Sequence, residues 1–186
     1  MCNNPKKFNR FYVDVLNSLK KYSTCSRLQV AAILVKDSRI LSSGYNGVAK
    51  GCTECNKIYK RSADGRITWN SALTRQTRFL TEEQYRKEHH EFADKYEIHA
   101  EMNCLGFALK NNTDITGAQL YLTTSPCLNC CKLILTSGIK EVYYIEEYDD
   151  RKGIEYLTRN GVICEKIDLE TNQDDDREIL SIFSRA

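Results

Sequence analysis

The chain has 186 residues, 41% of them hydrophobic and 28% charged, which is ordinary for one globular domain with room for a modest insertion. Lys and Arg number 27 against 25 Asp and Glu, a formal +2, so the clear basic excess of a dedicated duplex-binding protein is missing. The longest apolar run, 30–35, is far short of the roughly 20 residues that a bilayer helix needs, and no secretory h-region is visible near Met1. Nine cysteines, an odd number, then point to a reducing, cytoplasmic compartment and to metal before disulfides.

Residues 8–20 carry Phe8, Phe11, Tyr12, Val15 and Leu19 at helical spacing, which predicts an amphipathic helix. The β-branched runs 29–35 and 39–45, separated by Lys36-Asp37-Ser38, predict an antiparallel hairpin. From Gly47 to about 97 no strand pattern is evident. Some fifty residues are too many for a plain loop, so an insertion with its own structure is expected. Its second part is helical: Thr81 and Gln84 form a capping-box pair, and Tyr85, His89, Phe92 and Tyr96 share one face.

Beyond it the chain alternates. Helix is predicted for 99–110, strand for 120–123, helix for 127–137 up to Gly138, strand for 142–145, helix for 150–159 and strand for 162–167. A hairpin followed by such alternation gives an α/β fold, a mixed sheet with helices on both faces. One domain over 1–170 with the insertion at about 47–97 is expected, then a solvated tail over 171–186 with a short helix at 177–184.

Two motifs carry chemistry. His99-Ala100-Glu101 opens one predicted helix, and Pro126-Cys127-Leu128-Asn129-Cys130 opens another. Cys127 and Cys130 are three apart, so they face one side of a helix, and a helix N-terminus stabilises thiolates. One His and two Cys make three ligands for tetrahedral Zn²⁺ with the fourth position open, the pattern of a catalytic rather than a structural zinc. His-x-Glu with Pro-Cys-x-x-Cys is the signature of zinc nucleobase deaminases, with Glu101 as the non-ligand proton carrier. Cys104, Cys131 and Cys164 read as core residues, Cys131 being turned about 100° from Cys130. Cys2 reads as an exposed thiol.

The chain resembles the deoxycytidylate (dCMP) deaminases of the cytidine deaminase superfamily, in their phage form. The matching residues are 25–30 (Cys-Ser-Arg-Leu-Gln-Val), Gly44-Tyr45-Asn46-Gly47, 99–103, 125–130 and Ser137-Gly138-Ile139-Lys140. Ala32 departs from the glycine often found there. The resemblance implies a three-layer α/β/α sandwich on a five-stranded mixed sheet, a homohexamer, and hydrolysis of dCMP to dUMP and ammonia for thymidylate synthesis. It further implies activation by dCTP and inhibition by dTTP with Mg²⁺, through Gly44, Tyr45 and Gly47, the glycines permitting close backbone approach of the nucleotide. Arg27 resembles a phosphate-facing arginine, and Lys110 a subunit-contact residue. Asn46 suits a sugar hydroxyl. Thr123, Thr124 and Ser125 form the lip before the cysteines, and Tyr148 lies at a strand's carboxyl end, where ligands of open sheets gather.

A second, structural zinc is expected too. In an antiparallel hairpin the start of the first strand and the end of the second lie together. Cys25 therefore comes near Cys52 and Cys55. Phage members hold a second zinc with two Cys, one His and one Glu. Here Cys25, His89 and Glu97 correspond, with His90 able to replace His89 and either Cys52 or Cys55 as the fourth ligand.

Two other classes compete: a polynucleotide-editing deaminase, and a zinc-stabilised binding module. Lys57, Lys60, Arg61, Arg66, Arg75 and Arg78, interleaved with Tyr59 and Trp69, offer a nucleic-acid surface, although a solvated insertion face suits the balanced charge better.

Overall fold

The structure is a computed structural model and describes residues 9–168 apart from Ala72 and Asp149. Phe8, Cys2 and the tail 171–186 with its expected helix lie outside the described residues. In chain order the elements are α1 (Asn9–Leu19), β1 (Ala31–Lys36), β2 (Arg39–Tyr45), β3 (Gly47–Val48), α2 (Cys55–Ile58), β4 (Tyr59–Arg61), β5 (Ile67–Asn70) and β6 (Thr77–Leu80). They continue with α3 (Glu82–Tyr96), β7 (Glu97–Ile98), α4 (Ala100–Lys110), β8 (Gln119–Thr124), α5 (Leu128–Thr136), β9 (Glu141–Glu146), α6 (Lys152–Arg159) and β10 (Ile163–Lys166).

The main sheet has five strands in the order β10-β9-β8-β1-β2. β1 is antiparallel to both neighbours, whereas β8, β9 and β10 run parallel, so the sheet is mixed. The β1–β2 turn places Asp37 and Ser38 at φ 50° and 60°, the two left-handed residues that a twist-matched two-residue hairpin demands. β1 is central and covered on both faces, which is why its pattern is a continuous apolar run rather than an alternation. Ala31, Ile33 and Val35 pack with Tyr12, Val13 and Leu16 of α1. Ala32 and Leu34 pack on the other side with residues of α4, α5 and α6. The result is the expected α/β/α sandwich. Each fully buried Leu or Ile of this core contributes about 1.5–3 kcal/mol.

The buried stripe of α1 is rotated from the expected one. Tyr12, Val13 and Leu16 are inside and Phe11 is 53% exposed. Six apolar positions in eleven residues define the helix but leave its facing ambiguous by one residue.

The insertion also differs from expectation. Residues 47–97 are not strand-free: β4, β5 and β6 form a three-stranded antiparallel sheet, and β3 pairs with β7 across the neck. Strands of two to four residues hold too few alternations to register as a period. The capping box of α3 is present, with the Thr81 hydroxyl accepting from Gln84 N and the Gln84 side chain accepting from Thr81 N. Tyr85 and His89 on its inner face are buried, while Tyr96 is 54% exposed and rests on Phe92.

Because β1 is antiparallel to β2 and β8, the amino end of β1 lies with the carboxyl ends of β2 and β8, and β9 ends there with β8. Gly44 lets α4 lie close on β2 at this end. A Cβ there would stand 2.5 Å from Cys104 N and 2.6 Å from Ala100 O, both backbone atoms that cannot move aside. Gly44→Ala should therefore cost about 1–3 kcal/mol or more. In a thermal melt that is a fall of about 2–4 °C for each kcal/mol. An unchanged melt would show that α4 is free to shift.

Candidate active site

His99 is the residue before α4, and Cys127 is the residue before α5. Both helices begin at the sheet end just described, so the two motifs meet there. The imidazole Nδ1 of His99 lies 3.6 Å from Cys127 Sγ and 3.3 Å from Cys130 Sγ. The three donor atoms are all within 4.8 Å of one another. Glu101, one turn-step into α4, is 4% exposed and beside them.

The electrostatics follow from that crowding. Cys127 is held down at about 4, chiefly by its hydrogen bond with Cys130 and then by His99, against the opposing effect of burial. Cys130, the partner that keeps the proton, is pushed well up by Cys127 and by burial. His99 is pushed up to about 9, mainly by its bond to the Cys127 sulfur, with the charge of Glu101 adding. Burial pushes the Glu101 carboxyl up as well. Two thiols and an imidazole converging on one point, with an ionised sulfur among them, are a donor set that fits zinc.

The family described as "Cytidine and deoxycytidylate deaminase zinc-binding region" matches residues 6–146. The chain belongs to that family.

It is a deaminase, and thus a hydrolase. Over 153 residues it is 37% identical to the deoxycytidylate deaminase of Enterobacteria phage T4, which covers 76% of this chain and 79% of the relative. Over 124 residues it is 31% identical to the human deoxycytidylate deaminase, covering 66% of this chain and 56% of the relative. The crystal structure of the dCMP deaminase from cyanophage S-TIM5, in complex with dCMP and dUMP, is 30% identical, with a TM-score of 0.63 over 89% of this chain and 98% of that one.

The deaminase has a second convergence. Cys25, Cys55, His89 and Glu97 each bring one donor atom within 4.8 Å of the others. His89 Nε2 is 3.4 Å from Cys25 Sγ and 3.2 Å from Cys55 Sγ. Cys25 is held down at about 3, first by Cys55, whereas Cys55 is pushed up by Cys25 and by burial. Glu97 is pushed up to about 7 by burial and by the Cys25 charge. Its Oε1 is buried without a hydrogen-bond partner, as is His89 Nδ1. A buried carboxylate oxygen without a hydrogen-bond partner, and two sulfurs and an imidazole so close to Glu97, make a donor set that fits a tetrahedral metal. Of Cys52 and Cys55, it is Cys55, the first residue of α2, that is buried and joins this cluster, whereas Cys52 is exposed. His90 is on the outer side of α3, 3.5 Å from Asp94.

The remaining candidates divide. Asn46 is buried, and its amide makes four contacts within the protein. Oδ1 accepts from Ser23 Oγ (2.7 Å) and Val30 N (2.8 Å), while Nδ2 donates to Leu28 O (2.9 Å) and Glu97 Oε2 (3.5 Å). This amide ties the 23–30 loop to the second cluster. Thr123 Oγ1 likewise accepts from Ala31 N at 3.0 Å and joins β8 to β1. Ser125 Oγ accepts from Tyr148 N at 2.8 Å, which brings those two residues together. Thr124 is buried, and Arg27 is exposed two residues from Cys25.

The glycines of 44–47 are packed by protein: Gly44 against α4, as above, and Gly47 with Thr24 Oγ1 2.8 Å from where a Cβ would stand. Both positions are places of close approach between parts of the protein. Next to them lies a cavity of about 480 Å³ lined by Thr24, Tyr45, Gly47, Lys50, Ile98 and Asn103 among others.

Four of the six basic insertion residues are paired. Lys57 meets Glu54, Arg61 meets Glu82, Arg66 meets Asp64 and Arg78 meets Glu88. Such exposed pairs add at most about 1 kcal/mol each. Their consequence here is that the surface is locally neutral. Cys131 and Cys104 are buried, and Cys164 is half-buried.

Gly153 and Cys131 were not singled out for function from the sequence. The available signal was a glycine inside an amphipathic helical pattern.

Proposed function

We propose that this deaminase hydrolyses dCMP to dUMP and ammonia, supplying dUMP for thymidylate synthesis. The observation that carries the reading is the meeting of His99, Cys127 and Cys130 beside the buried Glu101. The choice of dCMP is supported by the named relatives. His99 Nδ1 and the sulfurs of Cys127 and Cys130 would hold zinc, which when bound lowers the pKa of a water to about 7. Glu101 takes a proton from the attacking water. It passes that proton to ring N3, takes a second one from the new C4 hydroxyl, and delivers it to the amine, which departs as ammonia and leaves the C4 carbonyl. Burial suits this role, because a carboxyl pushed up holds a proton between the two transfers.

Cys25, Cys55, His89 and Glu97 would hold a second, structural zinc. For allosteric control, dCTP as activator and dTTP as inhibitor with Mg²⁺ fit the cavity beside Tyr45, where Lys50 supplies a positive charge for phosphates. A homohexamer is supported by the resemblance and by the outer face of α4, where Phe107 and Leu109 are exposed together with Lys110. A cytoplasmic setting accords with the eight free cysteines among the described residues. No described helix is long and apolar enough to cross a membrane.

The test is ammonia release from dCMP, CMP, dCTP, deoxycytidine and a cytosine-containing oligonucleotide. Preference for dCMP is expected. Turnover of the oligonucleotide alone would favour the editing alternative, against which the paired basic residues speak.

Zinc uptake should also be strongly pH-dependent. Before metal binds, at pH between about 5 and 8, Cys127 is a thiolate while His99 and Cys130 each carry a proton. Ligation expels both, so affinity rises with pH, by about 100-fold per unit over that window. Calorimetry in two buffers of different ionisation heat, with the second cluster already filled, should count two protons. A count of zero would contradict this ionisation scheme.

A further inference from the structure

We propose that Gly153 is a positioning residue for the zinc-ligating cysteines. Glu146 at the end of β9, Tyr148 beyond it and Gly153 in α6 act as a clamp on the Ser125-Pro126-Cys127 turn, and Gly153 is the point where the clamp closes. The proposal rests on the zinc reading of His99, Cys127 and Cys130 given above.

Gly153 lies in the first turn of α6 with an ordinary helical φ, so its backbone conformation does not require glycine. On helix propensity alone, alanine would be better by about 0.5–1 kcal/mol. What excludes a side chain is contact. A Cβ at Gly153 would stand 2.0 Å from the carbonyl oxygen of Pro126 and 3.1 Å from Cys131 Sγ. Pro126 has no N–H, so its carbonyl is its only backbone hydrogen-bonding group, and that group is pressed against α6. The Cys131 thiol bridges the junction, donating to Gly153 O at 3.3 Å with Pro126 O at 3.8 Å.

The same connection grips the preceding residue twice. Ser125 N donates to Glu146 O at 2.9 Å, and Ser125 Oγ accepts from Tyr148 N at 2.8 Å. Cys127 follows directly and caps the start of α5, whose first turn is closed by Cys131 N donating to Cys127 O at 3.1 Å. Displacing the Pro126 carbonyl therefore displaces the peptide that carries the Cys127 sulfur. It also shifts the turn that spaces Cys127 from Cys130. Metal affinity depends on ligands being held in place by such outer contacts, with typical losses of 10–100-fold when one is removed.

The experiment compares wild type with Gly153→Ala. The second cluster, Cys25-Cys55-His89-Glu97, serves as an internal control. Chelator competition should show the His99-Cys127-Cys130 zinc held at least about tenfold more weakly, with the second zinc unchanged. In cobalt-substituted protein the sulfur-to-metal charge-transfer band should change, and kcat should fall more than KM for dCMP. A helix glycine with no positioning role would give equal or higher stability and unaltered metal binding. That outcome overturns the proposal. If Gly153→Ala does not fold, Cys131→Ala, which adds no atom, is measured in its place. Weaker zinc or a changed band then supports the clamp, and values identical to wild type overturn it. A zinc content unaltered by Cys127→Ser would instead defeat the metal reading beneath the proposal.

Discussion

Glu101→Ala should fold, keep zinc at His99, Cys127 and Cys130, and lose at least about 10²–10⁴ in kcat. The side chain is buried next to the three donors yet is not one of them. Removing it deletes the group that moves protons without deleting a ligand. Glu101→Gln refines the test, because it keeps volume and a hydrogen-bonding head but cannot carry the proton. The two variants should be similarly slow, with KM changed less than kcat. His99→Ala and Cys127→Ser should lose the metal itself. Metal analysis beside kinetics separates the two classes. Near wild-type turnover in Glu101→Ala would remove the proton carrier from the mechanism.

The second large effect concerns the Cys25-Cys55-His89-Glu97 cluster. Its neighbours are few: Tyr59, Ile67, Leu80 and Tyr85 are the other buried hydrophobic residues of the insertion's small core. A structural zinc supplies about 10–16 kcal/mol of binding free energy to the folded state at neutral pH. That is comparable with the whole stability of an ordinary domain. Protein purified without added metal should carry about two zinc ions per chain, and Cys25→Ser or His89→Ala about one. Those variants should also lose protection of the insertion in hydrogen exchange or limited proteolysis. Cys52→Ser, at the exposed neighbouring cysteine, should do neither. One zinc per chain in fully active wild type would contradict the second site.

The elements most visible in the sequence are those with many repeats of one period. The alternation of helix and strand after residue 98, and the capping box at Thr81, are read from local chemistry, and the structure contains them. Features set by contacts across the chain were less legible. The short strands of the insertion are defined by their partners rather than by their own pattern. The inward turn of Cys55 depends on a single-turn helix. Asn46 and Thr123 read as ligand-binding side chains because they are polar and near strand ends; the bonds they make to Val30, Leu28 and Ala31 join distant parts of the chain and could not be read from the sequence. Gly44 reads as a point of close backbone approach, and in the fold it lets α4 pack against β2. In each case the residue type is visible, while the direction it faces is a tertiary fact. The metal motifs escape this limit, because their ligand spacing is itself set by a helix turn and by adjacency to a helix start.

The most direct measurement titrates zinc into protein stripped by a chelator and follows ammonia released from dCMP. Activity should be absent without metal and should return in proportion to filling of the His99-Cys127-Cys130 site, with one dUMP formed per ammonia. Full dCMP turnover by the stripped protein, or none by protein with that site filled, would contradict the account.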